Sequence, residues 1–226
     1  NSQSFFSFRN GVSNNVNYNI TIGRNSVDQI NFPRQGSNFL LSLKLSPPYS
    51  MFDDIDDYSS LSDQEKYEWV EYYKWKFKAT WFSPFTEKLV LATKTEFGLL
   101  GAYNQELGIS PFERFYVGGD GLSGMGYMND GRELVALRGY SNNSLSPQTG
   151  ATIYNKYTAE IRYALSLNPT STMYALAFLE AGNAWERFDN FNPFGVKRSV
   201  GIGVKIMLPM IGMMGLDYGW GLDEIP

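Results

Sequence analysis

Arg138 is the residue of this chain whose chemistry most needs a partner. It sits in Leu137-Arg138-Gly139-Tyr140, inside a glycine-containing stretch of residues 104–155 that carries no strand pattern. A connection of that length is uncommon in a compact domain and is either functional or without secondary structure. A guanidinium is planar, permanently charged and able to bond two carboxylates at once, so it points to a charge-assisted contact.

Other chemistry is sparse. The chain has no histidine and no cysteine, which removes disulfides, thiolate nucleophiles, Cys/His zinc sites and histidine-dependent triads. Asp53, Asp54, Asp56 and Asp57, with Glu65 nearby, could offer oxygen ligands to calcium. The EF-hand spacing is absent, and a solvated acidic loop is the simpler reading. Gly118-Gly119-Asp120-Gly121 precedes no helix pattern, so it does not read as a phosphate cradle. No cofactor, metal or catalytic residue is expected.

The elements that must position Arg138 are strands. Residues 16–23 alternate without error, with Val16, Tyr18, Ile20 and Ile22 opposite Asn17, Asn19 and Thr21, and period two means strand. The same reading gives strands over residues 38–46, 73–81, 89–103, 157–167, 173–185, 199–208 and 212–223. Residues 5–9 could end another. In 73–81, Lys74, Lys76 and Lys78 share one face opposite Trp75, Phe77 and Trp81. Three lysines in line cannot point into a dry core.

Connections between these strands run short, long, short, long, short, long, short. In an up-and-down meander this gathers the tight turns at one end and the long loops at the other, the layout of outer-membrane barrels. Strands of about 9–11 residues with one apolar face fit the same class.

Composition agrees. The net charge of −4 and scattered basic residues leave no footprint for nucleic acid. No run reaches the roughly 20 apolar residues of a spanning helix, and the first residues do not read as a signal peptide. The 15 Tyr, 16 Phe and 5 Trp include Tyr73, Trp81, Phe82, Tyr163, Trp185 and Trp220 near strand ends, where interfacial girdles form. A soluble lipocalin-like barrel or a β-sandwich would alternate equally well. What separates them is which face points outward.

Several motifs, in order along nearly the whole chain, resemble the BamA, Sam and Toc outer-membrane assembly superfamily, which includes the bacterial surface antigen proteins. Phe112-Glu113-Arg114-Phe115-Tyr116-Val117-Gly118-Gly119 is similar to its aromatic-Gly-Gly segment, and Leu137-Arg138-Gly139-Tyr140 to its (Val/Ile/Leu)-Arg-Gly-(Phe/Tyr) motif. Residues 178–185 resemble its aromatic-x-acid-x-Gly-x-x-Trp strand, residues 199–219 its penultimate hairpin, and residues 32–36 a short turn. The resemblance implies an all-β, antiparallel, up-and-down transmembrane β-barrel, of which residues 1–226 form a C-terminal portion of eight or nine strands from a total of about 16.

It also implies that the long loop folds into the lumen and that its arginine meets acidic side chains on the inner wall. Parity identifies these acids. Glu160 lies on the face of Thr158, Arg162 and Ala164, and Glu180 on that of Phe178 and Gly182 in the next strand. Both should face the lumen within reach of Arg138. The glycines of the last two strands would permit bending or close approach of the loop.

As the resemblance implies, the function is assembly and insertion of outer-membrane β-barrel proteins, without enzymatic chemistry. Its setting is the outer membrane of a Gram-negative cell. Partners would be outer-membrane lipid, nascent outer-membrane proteins and accessory subunits of an assembly complex. A translocation pore of the same superfamily for one dedicated protein, and a soluble binding barrel, are the alternatives. No POTRA-like pattern precedes the first strand, and the chain stops one strand short of expected closure, so a partial barrel without its seam strands is expected.

Overall fold

Period-two alternation is expressed as a meander, seen in a computed structural model that describes residues 12–53, 55, 57–121, 132–168 and 171–225. Residues 5–9, Asp54 and Asp56 lie outside the described residues. In chain order the strands are β1 (Tyr18–Asn25), β2 (Gly36–Leu45), β3 (Tyr73–Pro84), β4 (Leu89–Gly101), β5 (Phe115–Val117), β6 (Glu133–Val135), β7 (Ile153–Ser166), β8 (Met173–Trp185), β9 (Lys197–Leu208) and β10 (Gly212–Gly221). Eight of them form one sheet in the order β1-β2-β3-β4-β7-β8-β9-β10. Every neighbouring pair in it is antiparallel.

Two differences from the sequence reading concern the long loop. Strands β5 and β6 lie inside it as a small parallel pair, with Phe115 opposite Glu133. The loop also ends earlier, because β7 begins at Ile153. Ile153, Tyr154, Asn155 and Lys156 are buried on both faces, so no apolar-polar alternation marks them as strand.

The wall has an apolar outside and a polar inside. Along β7, Tyr157, Ile161, Tyr163 and Leu165 are exposed while Thr158, Glu160, Arg162 and Ala164 are buried. Along β8, Leu179 is 58% exposed and its neighbour Glu180 only 3%. A soluble barrel would reverse this arrangement, since exposed bands of large apolar residues need lipid or a partner to cover them. Trp81, Tyr163 and Trp220 are exposed, as girdle residues should be. Phe82 is not one of them: it packs against a buried cluster formed by Phe32, Val90, Ala164, Tyr174, Leu176 and Phe178. Parity along β3 puts it on the lysine face. Among the described residues no helix is long and apolar enough to cross a membrane.

The main apolar core lies between loop and wall. Phe115, Val117, Val135, Leu137 and Leu145 of the loop pack with Val70, Tyr72, Leu100, Tyr154 and Ala184. Phe115 meets Tyr154 edge-on at 4.7 Å between ring centroids. The loop therefore supplies about half of this cluster, and its position is set by side-chain packing as well as by charge.

Candidate functional site

The loop reaches the far wall at Arg138. After β6 the chain stays extended, Leu137 donates its backbone N–H to Gly119 O at 3.1 Å, and the next residue turns its side chain to β7, β8 and β10. Nη2 of Arg138 lies 2.8 Å from Oε1 of Glu160 and 2.7 Å from Oε1 of Glu180. Its Nε donates to the same Glu180 oxygen at 3.1 Å, and its backbone N–H donates to Oε2 at 2.8 Å. Nη1 reaches Oδ2 of Asp217 on β10 at 3.0 Å. The guanidinium also lies 3.6 Å over the Phe178 ring. Burial works against the charge on Arg138, but the Glu180 and Glu160 carboxylates outweigh it and raise its pKa further above neutrality.

Asp217 is the partner that the sequence reading did not name. Its parity was legible, on the face of Gly215 and Gly219, but no motif singled it out. Each of the three acids also has a cation of its own on the wall. Arg162 bonds Glu160, Lys156 bonds Glu180 at 3.1 Å and Lys205 bonds Asp217 at 2.8 Å. The wall is thus charge-balanced before the loop arrives, and Arg138 adds one further cation.

Gly139 and Tyr140 fix the geometry beyond the arginine. Gly139 has φ +92°, and a Cβ there would come 2.7 Å from the backbone carbon of Trp220. Only glycine tolerates both the left-handed backbone and the contact with β10. Gly219 is the reciprocal surface, since a Cβ there would meet Gly139 N at 2.9 Å. The Tyr140 hydroxyl donates to Arg198 O at 2.7 Å and accepts from the backbone N–H of Asp223 at 3.3 Å.

The aromatic-glycine segment supports this from behind. Phe115, Tyr116 and Val117 are buried, while Gly118 and Gly119 take φ of +127° and +74° to turn the chain away from β5. A model of the Omp85 superfamily domain matches residues 3–225. The chain belongs to the Omp85 superfamily.

As an Omp85 domain with an apolar outer wall, it is an outer-membrane β-barrel protein. Its fold is similar to that of a solved structure, BamA from Haemophilus ducreyi lacking POTRA domains 1–3, at 19% sequence identity and a TM-score of 0.61. The match covers 91% of this chain and 39% of the other, so this Omp85 domain spans about two fifths of that BamA chain. Among the curated proteins none matches.

The residues singled out in this Omp85 chain fall into three places. Arg138, Glu160 and Glu180 meet in one cluster. Gly139 and Tyr140 lie against the β9–β10 hairpin. Phe115 and Tyr116 lie buried in β5 within the loop, with Gly118 and Gly119 in the turn that follows it. A second ionic cluster, Lys44, Lys74 and Lys76 with Glu113 and Glu133, was not foreseen. The lysine row was visible in the sequence, but its partners lie in a loop that has no period.

Proposed function

We propose that this chain is the C-terminal part of a barrel of about 16 strands that assembles and inserts outer-membrane β-barrel proteins. In this reading residues 1–226 are one partial barrel domain, and Arg138, Glu160 and Glu180 lock the long loop into the lumen. Outer-membrane lipid, nascent barrel proteins and accessory assembly subunits are its partners. The work done is conformational, with no bond made or broken in a substrate.

One observation carries the proposal: a half-buried arginine in a Leu-Arg-Gly-Tyr segment joins carboxylates from three strands of the inner wall. A solvated loop arginine would not surrender its hydration to four carboxylate contacts and one ring face. A soluble binding barrel is disfavoured by the apolar outer wall. The translocation pore shares the arginine loop and differs in what it moves.

Depletion of the full-length protein separates these functions. A general fall in outer-membrane barrel proteins is the expected result. Loss of a single secreted protein, with other barrels at normal abundance, would replace assembly by dedicated translocation.

A further inference from the structure

The loop is held at two walls, and the two attachments have opposite polarity. At β7, β8 and β10 the wall offers carboxylates and the loop an arginine. At β2 and β3 the wall offers lysines and the loop carboxylates. Lys44 of β2 lies 2.7 Å from Glu113 Oε1. Lys74 of β3 lies 3.3 Å from Glu113 Oε2 and 3.0 Å from Glu133 Oε2, and it donates to the Glu113 carbonyl at 2.7 Å. Lys76 completes the row at 3.1 Å from Glu133 Oε1.

Lys74 is the centre of this cluster. Its side chain is 3% exposed, and its ammonium sits 4.6 Å over the Phe115 ring. Glu113 stands just before β5, and Glu133 is the first residue of β6. One ammonium therefore ties together the starts of both loop strands, at the point where their parallel pairing begins. Glu113 has φ +66°, a backbone state rare for a residue with a side chain, and its carbonyl and its carboxylate both turn to Lys74. A strained backbone persists where its surroundings over-determine it.

Arg138 follows Glu133 by only five residues, a span of at most roughly 18 Å when extended. Strands β4 and β7 separate β3 from β8 in the sheet. We infer that Lys74 is a positioning residue for the lumenal lock: with Glu113 and Glu133 it forms a second clamp, making the loop a strut between β2–β3 and β7–β10. The reversed polarity favours one docking direction, because a loop turned end for end would set Arg138 against the lysines of β2 and β3. Without Lys74 the loop pivots about Arg138, and its β5–β6 end leaves the wall. This rests on the lumenal placement in the proposed function but not on any client.

Its test uses a cysteine-free background: residues 1–226 contain none, and any cysteine outside them is replaced by serine. In the full-length protein, Val135→Cys and Leu137→Cys each place one thiol at a position now buried. With Lys74→Met the maleimide labelling rate at Val135→Cys should rise tenfold or more while Leu137→Cys stays protected. Lys74→Arg should keep both protected, since it retains the charge and the donors. Unchanged protection at Val135→Cys overturns the inference, as does an equal rise at both positions, which would mean that the loop leaves as one body. Should Lys74→Met fail to fold, Glu133→Gln makes the same comparison more gently. Client assembly plays no part in these readouts, so the proposed function can fail separately.

Discussion

Glu180 holds Arg138 by both backbone and side chain: Oε2 accepts the Arg138 N–H at 2.8 Å, and Oε1 accepts from Nε and Nη2 at 3.1 and 2.7 Å. Glu160 touches only Nη2, at 2.8 Å. The two acids are therefore unequal. Glu180→Gln should free the loop more than Glu160→Gln, by about 1–3 kcal/mol, the range for hydrogen bonds to charged groups and for buried groups left unsatisfied. Limited proteolysis of the loop, compared in the two variants, reads the difference. Equal cleavage rates would mean that the backbone contact contributes nothing.

Arg138→Ala should cost about 1–3 kcal/mol and not the roughly 3–5 kcal/mol of stripping a buried charge of its only partner. The reason is the pairing of every wall acid with its own cation, Arg162, Lys156 or Lys205. Arg138→Lys should recover little of this, since one ammonium cannot reproduce a planar fork that reaches three carboxylates. Thermal unfolding of the three proteins side by side checks both statements, with about 2–4 °C expected per kcal/mol at this chain length. A loss in the higher range would show that the wall pairs do not neutralise the acids.

Much of the wall was legible because one physical rule generates it: a sheet with lipid on one side and water or a polar plug on the other must alternate. Parity set the face that Glu160 and Glu180 each share with their neighbours, and the family resemblance made that face the inner one. Asp217 had the same parity, yet nothing in a single strand tells which of several inward acids a loop will touch. Strands β5 and β6, three residues each, are too short to show a period. Lys74 was read as one of a polar row, and its burial under Glu113, Glu133 and Phe115 depends on a loop whose path no local pattern specifies.

Gly139→Ala should displace the loop from β10. The new methyl would meet the Trp220 backbone at 2.7 Å, with φ already at +92°, and a residue forced into such a conformation costs about 1–3 kcal/mol. Gly108, with φ +77° and nothing near its Cβ position, is the control: Gly108→Ala carries the backbone cost without the collision. The difference between the two melting temperatures isolates the contact with β10. No difference would mean that the loop does not press on that strand.

The Asp223–Arg198 pair gives a pH signature at the edge of the site. Arg198 donates to the Asp223 carboxylate through Nε, Nη2 and its backbone N–H, and this bonding holds the Asp223 pKa at about 2, below its ordinary 3.8. A depressed acid stabilises the fold above its unfolded pKa and loses that contribution as pH falls through the folded value. Docking of the Tyr140 hydroxyl onto the Asp223 N–H should therefore be intact above about pH 4 and weaken towards pH 2. Carboxyl carbon shifts of Asp223 followed by NMR should titrate near the lower value. Titration at the ordinary value would mean that the pair is open in solution.

The outward face makes the last prediction, and it separates lipid from water as the surrounding medium. Leu179 stands at the middle of β8, exposed, with Glu180 beside it facing inward. In lipid, Leu179→Arg puts an uncompensated charge near mid-membrane and should cost about 2–4 kcal/mol, whereas a charge near a strand end costs about 0–1 kcal/mol. Leu165→Arg, near the end of β7, is the matched control, because both leucines are about half exposed. In water the two substitutions would be equivalent and nearly silent, since surface changes away from packed features stay within about 0.5 kcal/mol. Folding yield into lipid vesicles, measured for both variants, decides between these outcomes. A large penalty at Leu179 with little at Leu165 fits a wall immersed in a bilayer, and two small penalties would remove the membrane from the account.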